Sequence, residues 1–254
     1  MAKLLINSNG KVLMNENGKI YKAPTSSSSS SSSLKKLLDT TKSAYHLFYE
    51  YIGTSIDGSI QYSDTENVTN MREMFMSCKN LTTIPKLNTS NVTIMDSMFR
   101  KCQKLQTIPQ LDTSKVINLA SMFDGCNNLQ TIPQLDTSNT FYTDYMFLNC
   151  HLLSKIDLTS LDNVMSSSTN FAAFYNCYSL TKLIIRTMTK IPGLNSNTFS
   201  GCYHFTGTVN ADYNPQGLKD GRIYVPDDKV EELKSATNWS AFADCIVPLS
   251  TLEE

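Results

Sequence analysis

Cysteine and histidine are the side chains of this sequence best suited to metal binding or nucleophilic attack, and it has seven of the first and three of the second. Six of the cysteines, Cys78, Cys102, Cys126, Cys150, Cys177 and Cys202, fall at one register of a repeating pattern. No C-x-x-C pair occurs, and His46, His151 and His204 do not fall at ligand spacing, so zinc is disfavoured. A Cys150–His151 nucleophile and base is the sharpest catalytic alternative, but adjacent residues in an extended or turning segment usually point apart, and none of the three histidines has a carboxylate at a spacing that suggests acid/base work. Asp212, Asn214 and Asp220 lack the D-x-[DN]-x-[DN]-G order of a calcium loop. The expectation is a non-enzymatic protein with no metal and no cofactor, whose cysteines are reduced, buried and packed like small hydrophobes.

The elements that carry these residues are set by repetition. Met-Phe-x-x-Cys-x-x-Leu-x-x-Ile occurs at Met74–Ile84, Met98–Ile108, Met122–Ile132 and Met146–Ile156, each copy 24 residues after the last. Looser copies follow around Phe174, Cys177, Leu180 and Leu183, and around Phe199, Cys202 and Phe205. About six stacked units make an α/β solenoid, an architecture that is mostly surface and so points to binding. Within a unit, Met71, Met74, Phe75 and Cys78 stand at i, i+3, i+4 and i+7, which predicts a short helix. Leu81 and Ile84 then predict a short inward-facing strand. Pro85, Pro109 and Pro133 follow at once and must end it, because proline brings no ladder donor. Thr89-Ser90 and Thr113-Ser114 offer hydroxyls to cap the next helix. Neighbouring cysteines would stack about 4.8 Å apart with parallel side chains, a poor geometry for disulfides.

Domain boundaries follow from shifts in pattern. Residues 1–23 carry two Asn-Gly turn signals, at Asn9-Gly10 and Asn17-Gly18, between Leu4, Leu5, Ile6, Val12, Leu13, Ile20 and Tyr21. This predicts a small β-meander too short to be stable alone, and hence an attachment segment. Residues 24–33, with Ser26 to Ser33, read as a flexible linker. Residues 34–66 read as an N-terminal cap with one amphipathic helix along Leu34, Leu37, Leu38, Thr41, Tyr45, Phe48 and Ile52. The repeats occupy 67–207, and 208–254 form a C-terminal cap: a strand over 222–225, a helix from about 227 to 236, and Trp239 packed inside.

With a formal net charge of −1, a pI near 6.3 and 41% hydrophobic residues in 254, the chain can build a core but has no basic footprint for nucleic acid. No run is long enough to span a membrane, and the N-terminus turns polar at Asn7, so neither membrane insertion nor a secretory leader is expected.

Two surfaces are candidates for ligand binding. The position after each repeat cysteine reads Lys79, Gln103, Asn127, His151, Tyr178, Tyr203, and Tyr142, Tyr145 and Tyr175 lie nearby, so polarity gives way to aromatics towards the C-terminus. Tyrosines combine a flat apolar face with a polar tip, which suits sugar rings or a protein partner. Filling gaps between irregular repeats is the plainer role. The second surface is a polar column of Thr83, Thr107, Thr131, Lys155 and Lys182.

Asn67-Val68-Thr69-Asn70-Met71 through Met74-Phe75-x-x-Cys78-x-x-Leu81, with Asp112-Thr113-Ser114 and Asp136-Thr137-Ser138, resembles the BspA-like leucine-rich repeat family over about residues 60–250. Ile223-Tyr224-Val225-Pro226 through Asn238-Trp239-Ser240 resembles the closing module often found after such repeats. The resemblance implies a right-handed leucine-rich-repeat superhelix of short parallel strands and helices, a role in adhesion, and no catalytic residue. The order of parts, docking segment, linker and distal module, resembles bacteriophage tail or head fibre proteins. It implies a virion protein assembled in the bacterial cytoplasm, bound through residues 1–23 to other virion proteins and presenting the repeats to a host-surface glycan or protein. A bacterial cell-surface adhesin and an intracellular interaction scaffold are the alternatives, and homo-oligomerisation stays open.

Overall fold

The computed structural model describes residues 35–253, apart from 37, 57–59, 161, 163–171, 191–196 and 238. The attachment residues Leu4, Leu5, Ile6, Val12, Leu13, Ile20 and Tyr21 and the serine linker lie outside the described residues.

The repeat segments expected to be helices are chains of tight turns instead. In the repeat that begins at Met71, the N–H of Met74 donates to the carbonyl of Met71 (3.2 Å) and that of Cys78 to Phe75 (3.1 Å). Between these bonds, Met71, Glu73, Phe75 and Ser77 donate to Ile94, Asp96, Met98 and Arg100 of the next repeat, at 2.7 to 3.0 Å. An α-helix would use nearly all of these N–H groups internally and leave none to tie repeats together. The alternation requires left-handed backbone at Glu73 (φ 54°) and Ser77 (φ 62°), and again at Ser97, Lys101, Ser121, Tyr145 and Asn149. Each such non-glycine residue costs about 1 kcal/mol, offset by an inter-repeat hydrogen bond that keeps a buried donor satisfied. At Gly201, a Cβ would meet Asn176 Oδ1 at 2.5 Å and its Cα at 3.0 Å, so φ of +77° and close packing together select glycine.

Successive i→i+3 turns still place i, i+3, i+4 and i+7 on one side, so Met71, Met74, Phe75 and Cys78 are all fully buried. The phenylalanines form a continuous column. Phe48, Phe75, Phe99, Phe123, Phe147, Phe174 and Phe199 stack with ring centroids 5.3–6.0 Å apart and planes within 14° of parallel. Beside them run the cysteines, all free and buried. Each thiol donates to the carbonyl of a phenylalanine one repeat earlier, as in Cys102 to Phe75 (3.0 Å) and Cys126 to Phe99 (3.0 Å). Burial pushes the thiols of Cys102, Cys126, Cys150, Cys177 and Cys202 up, so they stay protonated.

Phe48 belongs to this column, which corrects the reading of 34–66 as a helical cap. Among the described residues of 34–66, α-helix is found at 35–36 and 38–41 and ends at Lys42, in the left-handed conformation (φ 56°) with its N–H on the carbonyl of Leu38, and a 3-10 turn lies at Tyr62–Thr65. From Ser43 onwards the chain is a further repeat: Ala44, Phe48 and Glu50 donate to Asn70, Met74 and Met76 at 2.8 Å. The supposed stripe is therefore split, with Leu38 and Phe48 buried but Tyr45 47% and Ile52 78% exposed.

In the C-terminal half a four-stranded parallel sheet forms, in the order β1 (Lys155–Ser160), β2 (Lys182–Thr187), β3 (Arg222–Val225), β4 (Ile246–Pro248). Among the described residues the earlier repeats have no such ladder. Parallel bridges at single residues link Ser43, Asn70, Ile94, Asn118 and Tyr142. The strands expected at 81–84, 105–108 and 129–132 do not form; single backbone bonds link these segments, from Gln106 N–H to Thr82 (3.4 Å) and from Gln130 N–H to Gln106 (3.0 Å). Proline explains the difference, since Asp157 and Ile184 stand in β1 and β2 where Pro85, Pro109 and Pro133 stand upstream. Leu81, Leu105, Leu129 and Leu153 are nevertheless fully buried, as the sequence implies.

Of the two threonines expected to cap helices, Thr89 accepts instead from the backbone N–H of Asp112 in the next repeat (2.7 Å), while Thr113 Oγ1 is buried without a hydrogen-bond partner among the described residues. Thr65 and Thr137 act as Thr89 does, accepting from the N–H of Asn88 (2.8 Å) and Ser160 (3.0 Å). They stitch repeats where proline has removed ladder bonds.

The C-terminal end carries a unit of its own. After β3 come a 3-10 turn, Asp227–Lys229, and a helix, Val230–Ser235. Trp239 is fully buried with its ring edge-on to Phe199, centroids 6.3 Å apart. A parallel sheet, few short helices and side chains stacked in register are compatible with a repeat solenoid.

Candidate recognition surface

The residue after each cysteine emerges from the core at the same place in every repeat, so these side chains stand above one another. Asn127 Nδ2 lies 3.3 Å from His151 Nδ1. The His151 ring stacks on Tyr178 (centroids 4.4 Å, 13° between planes), and Tyr178 stacks on Tyr203 (5.0 Å, 14°). Tyr213, which sequence reasoning missed, joins them tilted against Tyr178 at 4.8 Å.

Tyr213 reaches this position because its loop is built around Asn214, which is buried. The Asn214 amide donates to the carbonyls of Tyr203 (3.2 Å), Thr208 (3.3 Å) and Leu218 (2.9 Å), while its Oδ1 accepts from Leu218 N–H (3.0 Å). The segment with a faint likeness to a calcium loop thus uses its asparagine as a brace. Among the described residues no group of three or more His, Cys, Asp or Glu could hold a metal ion.

Burial lowers the pKa of His151, and the Tyr178 hydroxyl is raised by burial first and then by Tyr203, Tyr213 and Tyr175. His151 and Tyr178 are therefore uncharged at neutral pH, and because Tyr178 is stacked between His151 and Tyr203, what the ladder offers is ring edges and hydroxyl tips.

The other candidates disperse. Tyr175 lies near enough to act electrostatically on Tyr178. Tyr142 is 51% exposed on the bridge column with Asn118, and Tyr145 occupies a left-handed position equivalent to Ser121. Thr83, Thr107, Thr131 and Lys155 are exposed. Their column continues in strict register through Lys155, Lys182 and Arg222, so it turns cationic on the sheet. Lys182 is half-buried with its ammonium 5.7 Å from the centre of the Tyr224 ring. Beside it, Arg186 makes a two-pronged contact with the buried carboxylate of Asp157, at 2.8 and 2.7 Å.

Two histidines do have carboxylate partners, contrary to the spacing argument. His46 pairs with Glu73 of the next repeat, and His204 Nδ1 lies 2.7 Å from Asp220. Sequence spacing could not show this because each partner comes from another repeat or loop. Cys150 points into the core, with its thiol on the Phe123 carbonyl, whereas His151 stands in the surface ladder, so the two do not form a nucleophile and base. No helix of the described residues is long and apolar enough to cross a membrane.

Stacked repeats with a polar and aromatic outer ridge place the chain among repeat-type, parallel-strand proteins. Residues 42–161 and 101–212 match the family described as Mycoplasma protein of unknown function, DUF285, and the chain belongs to that family. The first match begins where the turn repeats begin, at Lys42. No curated protein matches the chain.

Proposed function

We propose that this chain is a non-enzymatic recognition protein, a right-handed leucine-rich-repeat solenoid of the BspA-like type that binds a host-surface glycan through its C-terminal ridge. The observation that carries this reading is the ladder of His151, Tyr178 and Tyr203 with Tyr213 against it. Several aligned rings with their edges and hydroxyls at a partly exposed surface are suited to hydrogen bonds and C–H contacts with sugars. The order of parts in the sequence supports display on a virion, with residues 1–23 as the tether and the serine tract as spacer. Deleting residues 1–25 is expected to leave the repeats folded and to abolish incorporation into the particle. Tyr178→Ala with Tyr203→Ala is expected to leave incorporation intact and weaken cell-surface binding. Normal cell binding by the double variant would return the ladder to a packing role.

The family match favours a second reading, because its description names Mycoplasma proteins. In that reading the same ridge serves a bacterial surface adhesin. Locating the protein by immunogold labelling of producing cells and of purified particles separates the two.

A further inference from the structure

Two hollows adjoin on the ridge and share Lys79 and Lys101. One, of about 530 Å3, is lined by Tyr49, Ile52 and Met76 together with the two lysines. The other, of about 520 Å3, runs from the same lysines past Gln103 and Asn127 to His151 and Tyr178. They form one trough crossing the repeats of Phe48 through Phe174, whose rings are stacked at 5.3–6.0 Å per repeat.

The chemistry changes along it. At one end Ile52 is 78% exposed, an unusual position for an isoleucine, beside Tyr49. At the other end stands the aromatic ladder, and between them are amide side chains and two ammonium groups. Lys79 and Lys101 are exposed and make no salt bridge among the described residues. Two carboxylates also line the trough. They are Asp124, which is held by Arg100 Nε at 2.8 Å, and Glu50 on the Tyr49 side.

We propose that this trough binds a linear, carboxylate-bearing polysaccharide, with a carboxylate at Lys79 and Lys101, hydroxyls at Gln103, Asn127 and the edge of Tyr178, and a pyranose face on Tyr49. This deepens the glycan reading above and rests on it. The repeat pitch is close to the length of one pyranose unit in an extended glycan, so a periodic ligand meets equivalent backbone at every step. Ring edges and hydroxyl tips in register meet sugar hydroxyls, and the lysines select charge. An acidic peptide would supply the charge without a row of hydroxyls for the amides and the ladder.

The test is calorimetric titration of the full chain with a hexamer of a linear uronic acid, its methyl ester, the corresponding dimer, and a glutamate hexapeptide. The hexamer is expected to bind, weakening with salt as an ionic contact must, and the other three to bind at least about tenfold more weakly. Lys79→Gln with Lys101→Gln is expected to weaken the hexamer about tenfold with an unchanged melting temperature, and Tyr178→Ala to weaken it independently of salt. Equal binding of ester or peptide, no binding of the hexamer, or indifference to the lysine pair would each overturn the proposal. A neutral ester that bound as well and was lost in Tyr178→Ala would sink this inference alone and leave the glycan-binding ridge standing. Hexamer binding that ignored Tyr178 and Tyr203 would break the ridge reading itself.

Discussion

The repeats from Met71 to Leu135 and the sheet from Lys155 onwards use the same inward residues yet hold together differently. In the first region proline interrupts the strand side, and adhesion between repeats rests on the turn side, on buried threonine hydroxyls and on the phenylalanine column. In the second, β1 to β4 form a regular parallel ladder whose outer side holds the Asp157–Arg186 pair. Aromatic stacking outside the core also differs. The early repeats carry ion pairs on their surface, Arg72 with Asp96 and Glu73 and Arg100 with Asp124, whereas the later ones carry stacked rings. The contrast teaches that a repeat tolerates loss of its strand ladder if another side of the coil keeps its backbone donors occupied.

The largest blow to this arrangement should fall on the shared column. Phe123 is fully buried between Phe99 and Phe147, with ring centroids 5.6 and 5.5 Å away. Phe123→Ala is expected to cost about 3–5 kcal/mol in denaturant unfolding, while exposed Gln106→Ala stays within about 0.5 kcal/mol. Similar losses at both would mean that the stacked column does not hold the repeats.

A smaller effect separates the ion pairs of the two regions. Asp157→Ala removes both prongs of the contact to a half-buried guanidinium and is expected to cost about 2 kcal/mol. Arg72→Ala, at a side chain 51% exposed, should cost under about 1 kcal/mol. Equal values would show that the sheet pair is as solvated as the turn-side pair.

Smaller still is the proline itself. Pro109→Ala restores an N–H, but Pro85 and Pro133 still flank it in neighbouring repeats, so no ladder should form. The expected result is a loss of about 0.4–1 kcal/mol from the freer unfolded chain. A gain in stability, with slow amide exchange at residue 109, would show instead that proline alone held the ladder open.

The least change is expected from pH. Burial depresses the His151 pKa in the folded chain. As pH falls below the ordinary histidine value, the unfolded chain takes up a proton that the folded chain still refuses. Stability is therefore full above that value and declines towards the lower folded pKa. His151→Gln should flatten this part of the denaturation profile between about pH 7 and pH 5, and an unchanged slope would place the histidine in water.

By itself the sequence determined the repeat length, the inward set Met, Phe, Cys, Leu and Ile, the thiol column and the closing unit around Trp239. These follow from periodicity, because a side chain repeated at constant spacing in stacked units must meet its own copies. It also placed His151, Tyr178 and Tyr203 in one line. It could not distinguish a helix from a chain of tight turns over Met71–Cys78, since both bring i, i+3, i+4 and i+7 together, and the choice lies in where the backbone N–H groups find partners. For the same reason residues 43–52 passed for helix, although their amides bond to the repeat beginning at Asn70. Only the tertiary structure decided that Tyr213 completes the ladder and that Lys79 and Lys101 share one trough, because each joins residues whose separation in sequence carries no period; that His46 meets Glu73 follows only once residues 43–52 are seen to form a repeat, with the offset that also stacks Phe48 on Phe75.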